Sequence, residues 1–110
     1  MPLDSKRQRL VGLHTDRLIA AGIADRMLHD RADLPSSVDG CQFWVESEPA
    51  WRGFPPVTFV YGAFRPLGRK IGFRAEKVRF GAIDRLPLTE TQQTLVNELA
   101  RDSIPVVAAV

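Results

Sequence analysis

The basic residues of this chain are concentrated in one stretch, FRPLGRKIGFRAEKVRFG at residues 64–81. Residues 61–85 hold seven Lys or Arg and two Asp or Glu, a net charge of +5, while the whole chain carries +2 at pH 7. Guanidinium and ammonium groups at such a density bind phosphates by displacing counterions, although charges on an exposed strand also prevent sheets from aggregating. We expect a phosphate-binding surface built from Arg65, Arg69, Lys70, Arg74, Lys77 and Arg79.

Aromatic side chains near this stretch are candidates for stacking on nucleic-acid bases. Trp51 is the strongest candidate, because it lies in PAWRGFPP at residues 49–56, where the prolines predict a loop rather than a central strand. The alternative is that Trp51 closes over the core as a plug. Core positions are expected for Phe59, Phe73 and Phe80, and the other rings considered for stacking are Trp44, Tyr61, Phe64 and Phe73.

Groups that would support catalysis or metal binding are few. The spacing of His14, His29 and Cys41 matches no zinc motif. Cys41 lies in DGCQF, which contains nothing that would activate the thiol as a nucleophile, and no glycine-rich phosphate loop occurs. Acidic residues in the first third of the chain alternate with arginines, which predicts a salt-bridged solvent face. We therefore expect no enzymatic activity, no cofactor and no metal.

The elements that position these residues begin with a helical segment over residues 1–34. Ser5 and Gln8 fit a capping box at its start, and apolar residues then recur every four positions along one stripe. Either one bent helix or two helices fit this pattern, with Thr15 and Asp16 as the start of the second. The small residues of AAGIA at 20–24 predict close packing against another element.

An antiparallel sheet of three to four strands is predicted over residues 41–84. CQFWVESE at 41–48 and VTFVYGAFR at 57–65 have the alternation and the β-branched and aromatic content of strands. A turn at 66–68 is expected to join the second of these to residues 69–83, which hold a third strand and room for a fourth. The apolar alternation of 69–83 changes phase near Glu76 and Lys77, which predicts a bulge or a bend there.

The end of the chain is predicted to be helical and then apolar. Thr89 and Gln92 form a second capping box, which indicates a C-terminal helix over residues 89–103. Residues 104–110, IPVVAAV, form an apolar tail that is either an added strand or a contact with a partner. With 110 residues, the chain is expected to be a single domain of the α+β class: an N-terminal helical segment, an antiparallel sheet and a C-terminal helix.

Residues 57–86, VTFVYGAFRPLGRKIGFRAEKVRFGAIDRL, resemble the closing strands of an OB-fold domain, as in single-stranded DNA-binding proteins and primosomal proteins of the PriB type. The shared features are the apolar alternation, Gly62, a charged turn with Gly68, a further strand, and Ala75 followed by Val78. GCQFWVESE suits an earlier strand of that fold, while the segment before residue 41 is predicted to be helical. The resemblance implies a curved, OB-like sheet that binds single-stranded nucleic acid.

Taken together, these patterns predict a small non-enzymatic protein that binds nucleic acid, preferring single strands, through a basic strand–turn–strand surface with Trp51 as a stacking ring. The alternative is an adaptor or inhibitor that binds another protein through the Trp51 loop, the small-residue helix face at 20–24 or the apolar tail. A lone Cys41, a charged N-terminus and no membrane-length apolar run predict a cytoplasmic protein. In so short a domain, the apolar tail and the small-residue helix face at 20–24 are expected to be buried against a second copy, which predicts a homodimer.

Overall fold

The computed structural model describes residues 5–64 and 76–105. Within these ranges the chain forms three helices and four strands, and the fold is α+β, as the sequence predicts. In chain order the elements are α1 (Ser5–Ala20), α2 (Ile23–His29), β1 (Gln42–Glu48), β2 (Val57–Phe64), β3 (Glu76–Ala82), α3 (Glu90–Arg101) and β4 (Ile104–Pro105).

The N-terminal helical segment is two helices that are separated at Ala21 and Gly22. Gly22 has φ 77 and ψ 4, a left-handed conformation that glycine adopts without a steric penalty. The expected start of a second helix at Thr15 and Asp16 is wrong, because Thr15 lies inside α1 and its hydroxyl lies 2.7 Å from the carbonyl oxygen of Val11. The glycine, rather than the potential N-cap, sets the break.

The small residues at 20–24 pack closely, as expected. Ile23 and Ala24 have no exposed surface and belong to the main core together with Val96 of α3. The side-chain amide of Gln92 on α3 donates to the carbonyl oxygen of Ala21, with a distance of 3.1 Å. Ile23 and Ala24 therefore face the core, whereas Ala20 is exposed, and the binding of a protein partner at this helix face stays a prediction.

The sheet has the strand order β3-β2-β1-β4. β1 and β2 are antiparallel over their whole length, from Gln42 opposite Ala63 to Glu48 opposite Val57. β2 and β3 are also antiparallel, which confirms the predicted pairing of the two segments. The predicted turn at 66–68 and the strand positions 69–75 lie outside the described residues.

The pairing of β2 with β3 contains one irregularity. Val60 lies opposite Gly81 and Tyr61 opposite Arg79, so that Phe80 is an extra residue on β3. Such a bulge bends the strand and changes the alternation. The sequence predicts a bulge or a bend near Glu76 and Lys77, where the apolar alternation changes phase. Within the described residues the bulge lies further along the strand, at Phe80 and Gly81.

The fourth strand differs from the prediction. β4 runs parallel to β1, with Ile104 opposite Glu46, so the sheet is not wholly antiparallel and this strand does not come from residues 69–83. The physical reason is the crossover: α3 carries the chain back across the sheet, and a helical connection allows parallel pairing. The first two residues of the expected apolar tail therefore form an added strand, and residues 106–110 lie outside the described residues.

Side chains of α1 cover the rest of the β1 edge beside β4. The amide of Phe43 donates to the hydroxyl of Thr15 at 3.0 Å, and the carbonyl oxygen of Phe43 lies 2.9 Å from the same hydroxyl. The amide of Val45 donates to Nδ1 of His14 at 3.2 Å. Two helix side chains thus bond backbone groups that a neighbouring strand would otherwise pair.

The main core lies on one face of the sheet. There the phenyl rings of Phe64 and Phe80 fill the space that Gly62 leaves, and a Cβ at Gly62 would collide with both rings. The predicted capping box of α3 is present, since Thr89 accepts from the amide of Gln92 and the Gln92 side chain accepts from the amide of Thr89. The buried side chains of the main core include Leu18, Ile23, Ala24, Phe43, Val45, Val60, Phe64, Val96 and Leu99.

Candidate nucleic-acid interface

The opposite face of the sheet, which we call the outer face, carries cations and aromatic rings side by side. Its position follows from strand alternation, because side chains two residues apart share a face. Tyr61 at its centre lies opposite Trp44 on one side and Arg79 on the other. The outer face comprises Trp44, Glu46 and Glu48 of β1, Phe59 and Tyr61 of β2, and Lys77 and Arg79 of β3.

Lys77 reaches over this face from the edge strand β3. Its Nζ lies 2.7 Å from Oε2 of Glu46 and 4.4 Å from the centroid of the Tyr61 ring. An ammonium group over a ring face is attracted by the electrons of that ring, in addition to the pairing with the carboxylate. The Lys77 side chain keeps 49% of its surface exposed, so water reaches it from the solvent side.

Arg79 repeats the arrangement two residues along β3. Its Cζ lies 4.5 Å from the centroid of the Phe59 ring, and its Nη1 lies 3.7 Å from Oε1 of Glu48. Both charged side chains of this pair are about half exposed, at 54% and 46%. A pair of this length and exposure is weak, so the guanidinium group is available to another anion.

Glu46 is the least expected member of the outer face, because its side chain is only 1% exposed. The indole N–H of Trp44 donates to the same Oε2 that contacts Lys77, with a distance of 2.6 Å. A buried carboxylate needs such partners, since an unpaired charge in this position would be strongly unfavourable. Trp44 and Lys77 together supply the hydrogen bond and the countercharge of the Glu46 carboxylate.

Tyr61 is nearly buried and its hydroxyl remains protonated. Burial raises the pKa of Tyr61 above its ordinary value, the negative charges of Glu46 and Glu48 act in the same direction, and Arg79 opposes them. Its ring stacks on Trp44 with 6.1 Å between centroids and meets Phe59 edge to face at 6.3 Å. The three rings therefore form a continuous row on this side of the sheet, in which Trp44 and Tyr61 are nearly buried.

Two of the six predicted phosphate-binding residues are brought together by the structure. Lys77 and Arg79 lie on the outer face, and both also contact a carboxylate and a ring. The other four, namely Arg65, Arg69, Lys70 and Arg74, lie outside the described residues. The expectation that they share one surface with Lys77 stays a prediction.

Trp51 lies at the tip of the β1–β2 hairpin, where 66% of its surface is exposed. The hairpin closes through a two-residue turn, since Arg52 has φ 47 and Gly53 has φ 82, and positive φ at both positions is the geometry of a type I′ turn. Trp51 and Phe54 exchange both backbone hydrogen bonds, at 3.2 and 2.9 Å. Phe54 is 68% exposed, and the Arg52 guanidinium lies 4.5 Å from the Trp51 centroid. The loop is thus ordered and displays two rings rather than plugging the core.

The remaining rings divide between the two faces. Phe80 packs in the core as expected, with its ring centroid 6.0 Å from that of Phe64. Phe64 is 2% exposed, so it is not a stacking surface. Phe59 packs against a second hydrophobic cluster, formed by Trp44, Tyr61 and Ile104, rather than in the main core, and Arg79 covers its ring. Phe73 lies outside the described residues.

The candidate metal ligands and nucleophile lie apart. His14 is buried against β1, whereas His29 is exposed and contacts the carboxylate of its neighbour Asp30. Burial raises the pKa of Cys41, and the charge of Asp39 adds to the increase, so the thiol stays protonated rather than becoming a nucleophile. Among the described residues, no three His, Cys, Asp or Glu side chains come together as ligands for a metal ion.

The charged face expected on the first helices is paired in part. Arg31 makes a two-pronged contact with Asp33 at 2.9 and 2.8 Å. Arg17 contacts Glu98 of α3 at 3.1 Å instead of an acidic residue of its own segment. This surface is a solvated salt-bridge layer and adds nothing to the outer face.

The sequence analysis did not predict the contacts of Glu46 with Trp44 and Lys77, although the sequence contains one signal for them. In CQFWVESE, Trp44 and Glu46 are two positions apart, and strand alternation places them on one face. The identity of the partner cation depends on the register of β3, which the bulge at Phe80 shifts. Lys77 was therefore predictable as a charged strand residue but not as the partner of Glu46.

Comparisons with protein-family models, with curated protein sequences and with solved structures found no match to this chain. The resemblance to OB-fold domains thus stays a prediction. No helix within residues 5–64 and 76–105 is long and apolar enough to cross a bilayer.

Proposed function

We propose that this protein binds single-stranded nucleic acid through the outer face of its sheet. The observation that supports the proposal is the repeated placement of a cation over an aromatic ring, Lys77 over Tyr61 and Arg79 over Phe59. Cations that contact phosphates and rings that stack on bases are the combination by which proteins bind single strands without reading their sequence. No metal, nucleophile or paired acid and base enters the proposal.

Arg79 and Phe59 are the pair on which we expect binding to depend. Tyr61 is only 7% exposed, whereas Phe59 keeps part of its surface open. Glu46 is buried and holds Lys77 at 2.7 Å, but Glu48 is half exposed and holds Arg79 only at 3.7 Å. A phosphate group would therefore displace Glu48 from Arg79 more readily than Glu46 from Lys77.

The test is a titration of fluorescent single-stranded DNA, single-stranded RNA and duplex DNA, each at several salt concentrations. We expect tighter binding to the single strands and an affinity that falls with salt, with a slope of about −0.7 for each phosphate contact. Arg79→Ala should make that slope shallower by about 0.7. Arg101→Ala on α3, which lies outside the basic stretch, is the matched control and should leave the slope unchanged.

Two results would contradict the proposal. One is negligible binding to every nucleic acid at low salt. The other is an unchanged slope in an Arg79→Ala variant whose circular dichroism shows a normal fold, since this cation would then contact no phosphate.

Binding of another protein through the tip of the β1–β2 hairpin is the second candidate function. Exposed Trp and Phe side chains on an ordered turn favour it, because aromatic anchors dominate protein interfaces and an ordered loop loses little entropy on binding. Failure to bind any nucleic acid at low salt would favour this function over the first.

The homodimer stays a prediction, and fewer surfaces now support it. Of the two surfaces that motivated it, the small residues at 20–24 include core positions, and the tail beyond Pro105 lies outside the described residues. Light scattering at high concentration distinguishes a dimer from a 12.3 kDa monomer.

A further inference from the structure

His14 is a buried titratable group that the outer face does not use. It has no exposed surface, and its Nδ1 accepts a hydrogen bond from the backbone amide of Val45. Accepting at Nδ1 requires the neutral tautomer with its proton on Nε2. Within the described residues, Nε2 is the buried side-chain nitrogen or oxygen that lacks a hydrogen-bond partner. A buried N–H without a partner is unfavourable, so the position of this ring requires an explanation.

Two charged groups act on the His14 ring from the elements around it. Burial lowers the pKa of His14, the carboxylate and backbone of Asp102 oppose that shift, and Arg17, one turn along α1, adds to it. Asp102 is the C-cap residue of α3, where the helix dipole also favours a positive charge. β1 presents its Val45 amide to the ring. The Val45 amide thus pairs with Nδ1 only in the neutral form, while Asp102 is the group that favours the charged form.

The contact of His14 with β1 is part of the attachment of α1 to the sheet edge. Thr15 makes the neighbouring contact with Phe43, and Leu10 and Val11 pack on a cluster that contains Trp44 of the outer face. One turn further along, Leu18 is buried in the main core on the other side. The N-terminal part of α1 is therefore held to β1 by a few contacts, while its C-terminal part is anchored in the core.

We propose that His14 is a proton-operated latch between α1 and the edge of β1. When the lone pair of Nδ1 takes up a proton, it can no longer accept from the Val45 amide, and the ring turns toward Asp102. Because the two protonation states have different partners, the proton biases two arrangements of the same element. In acid, the N-terminal part of α1 separates from β1 and uncovers Trp44, while the core around Leu18 stays closed.

The first test is a pH titration of the ¹⁵N-labelled protein by NMR, from about pH 7.5 to about pH 5, the range in which histidines titrate. We expect the His14 ring and the Val45 amide to change with one midpoint, below the ordinary histidine pKa of 6.5. The amide of Val60, on the neighbouring strand and away from this edge, should not change. Titration of His14 without any change at Val45 would overturn the proposal, as would simultaneous loss of the Val45 and Val60 signals through global unfolding.

Two variants separate the latch from a general effect of acid. His14→Gln keeps a side-chain oxygen that can accept from the Val45 amide but does not titrate, so the Val45 step should disappear. Asp102→Asn removes the charge that favours the protonated ring, so the midpoint of the Val45 step should move to lower pH. This second variant tests the latch independently if His14→Gln folds poorly. His29→Gln is the control for the exposed histidine. A Val45 step that survives in His14→Gln, or an unchanged midpoint in Asp102→Asn, would refute the mechanism.

A fluorescence measurement reads the same event at the outer face. The chain has two tryptophans, and Trp51→Phe leaves Trp44, which is 6% exposed, as the single emitter. Release of Leu10 and Val11 should shift its emission to longer wavelength with the midpoint that NMR gives for Val45. Emission that stays constant across this midpoint would contradict the separation of α1.

Discussion

The pair of Glu46 and Lys77 gives an asymmetric prediction for stability. Glu46 is buried at 1% exposure, and Lys77 is 49% exposed. In Glu46→Gln the amide oxygen still accepts from the Trp44 indole, and the Lys77 ammonium that remains is solvated. In Lys77→Met the hydrocarbon stem is preserved, but a buried carboxylate loses its countercharge. Removing the partially exposed cation should therefore destabilise the protein more than removing the buried anion.

The magnitudes follow from the two environments. For Glu46→Gln we expect a loss of about 1 kcal/mol, the contribution of one hydrogen bond whose groups keep other partners. For Lys77→Met we expect about 3 kcal/mol, at the low end for removal of one partner of a buried pair, because water reaches part of this site. With a urea m-value of about 2 kcal/mol/M, the midpoints of the two variants should differ by about 1 M.

Urea unfolding followed by circular dichroism measures both free energies of unfolding. The double variant, which leaves no unpaired charge, should lose less stability than Lys77→Met alone, so the cycle gives a coupling energy of about 2 kcal/mol. Glu48→Gln is the matched control, because its pair with Arg79 is exposed on both sides and should contribute less than about 1 kcal/mol. If Lys77→Met were no more destabilising than Glu46→Gln, the buried charge of Glu46 would not need Lys77, and this reasoning would fail.

Three further predictions concern the outer face and α3. Glu48→Gln should tighten binding to single-stranded DNA roughly two- to fivefold in a fluorescence titration, since a surface pair of about 0.5–1 kcal/mol no longer competes for Arg79; weaker binding would contradict this. Tyr61, the only tyrosine, should ionise above pH 10.0 in an ultraviolet pH titration. Because folding raises the pKa of Tyr61, the contribution of this group to the free energy of unfolding is complete below pH 10.0 and is lost as the pH rises through the raised pKa. A midpoint at the ordinary tyrosine pKa would refute the burial argument. Thr89→Ala should lower the free energy of unfolding by about 1 kcal/mol in urea, while Thr89→Ser should retain most of it; equal losses would show that the Thr89 hydroxyl does not cap α3.

The features that the sequence predicted are local ones. The capping box of Thr89 and Gln92 is set by residues three apart, and the structure contains both of its hydrogen bonds. The strands over 41–48 and 57–65 were predictable from alternation, because a hairpin pairs neighbouring segments. The prolines around Trp51 predicted a loop but left its ring either exposed or closed over the core, and the structure shows it exposed.

The features that were not predictable depend on contacts between distant segments. Thr15 does not start a second helix, and its hydroxyl instead contacts Phe43, which lies in a strand far along the chain. The parallel strand β4 depends on where α3 returns the chain. For the candidate site, alternation placed Lys77 and Arg79 two positions apart on one face, but their partners Glu46 and Glu48 depend on the register across β2.

The parallel pairing of β4 with β1 affects the order in which the chain folds. The β1–β2 hairpin joins neighbouring segments and can form early, while Ile104 meets Glu46 only after α3 has been made and has crossed the sheet. During synthesis on the ribosome, the β4 side of β1 therefore remains an open strand edge until β4 itself emerges. Open edges recruit other chains, so we expect a chain truncated after Arg101 to form aggregates during refolding, at concentrations where the full chain stays in solution.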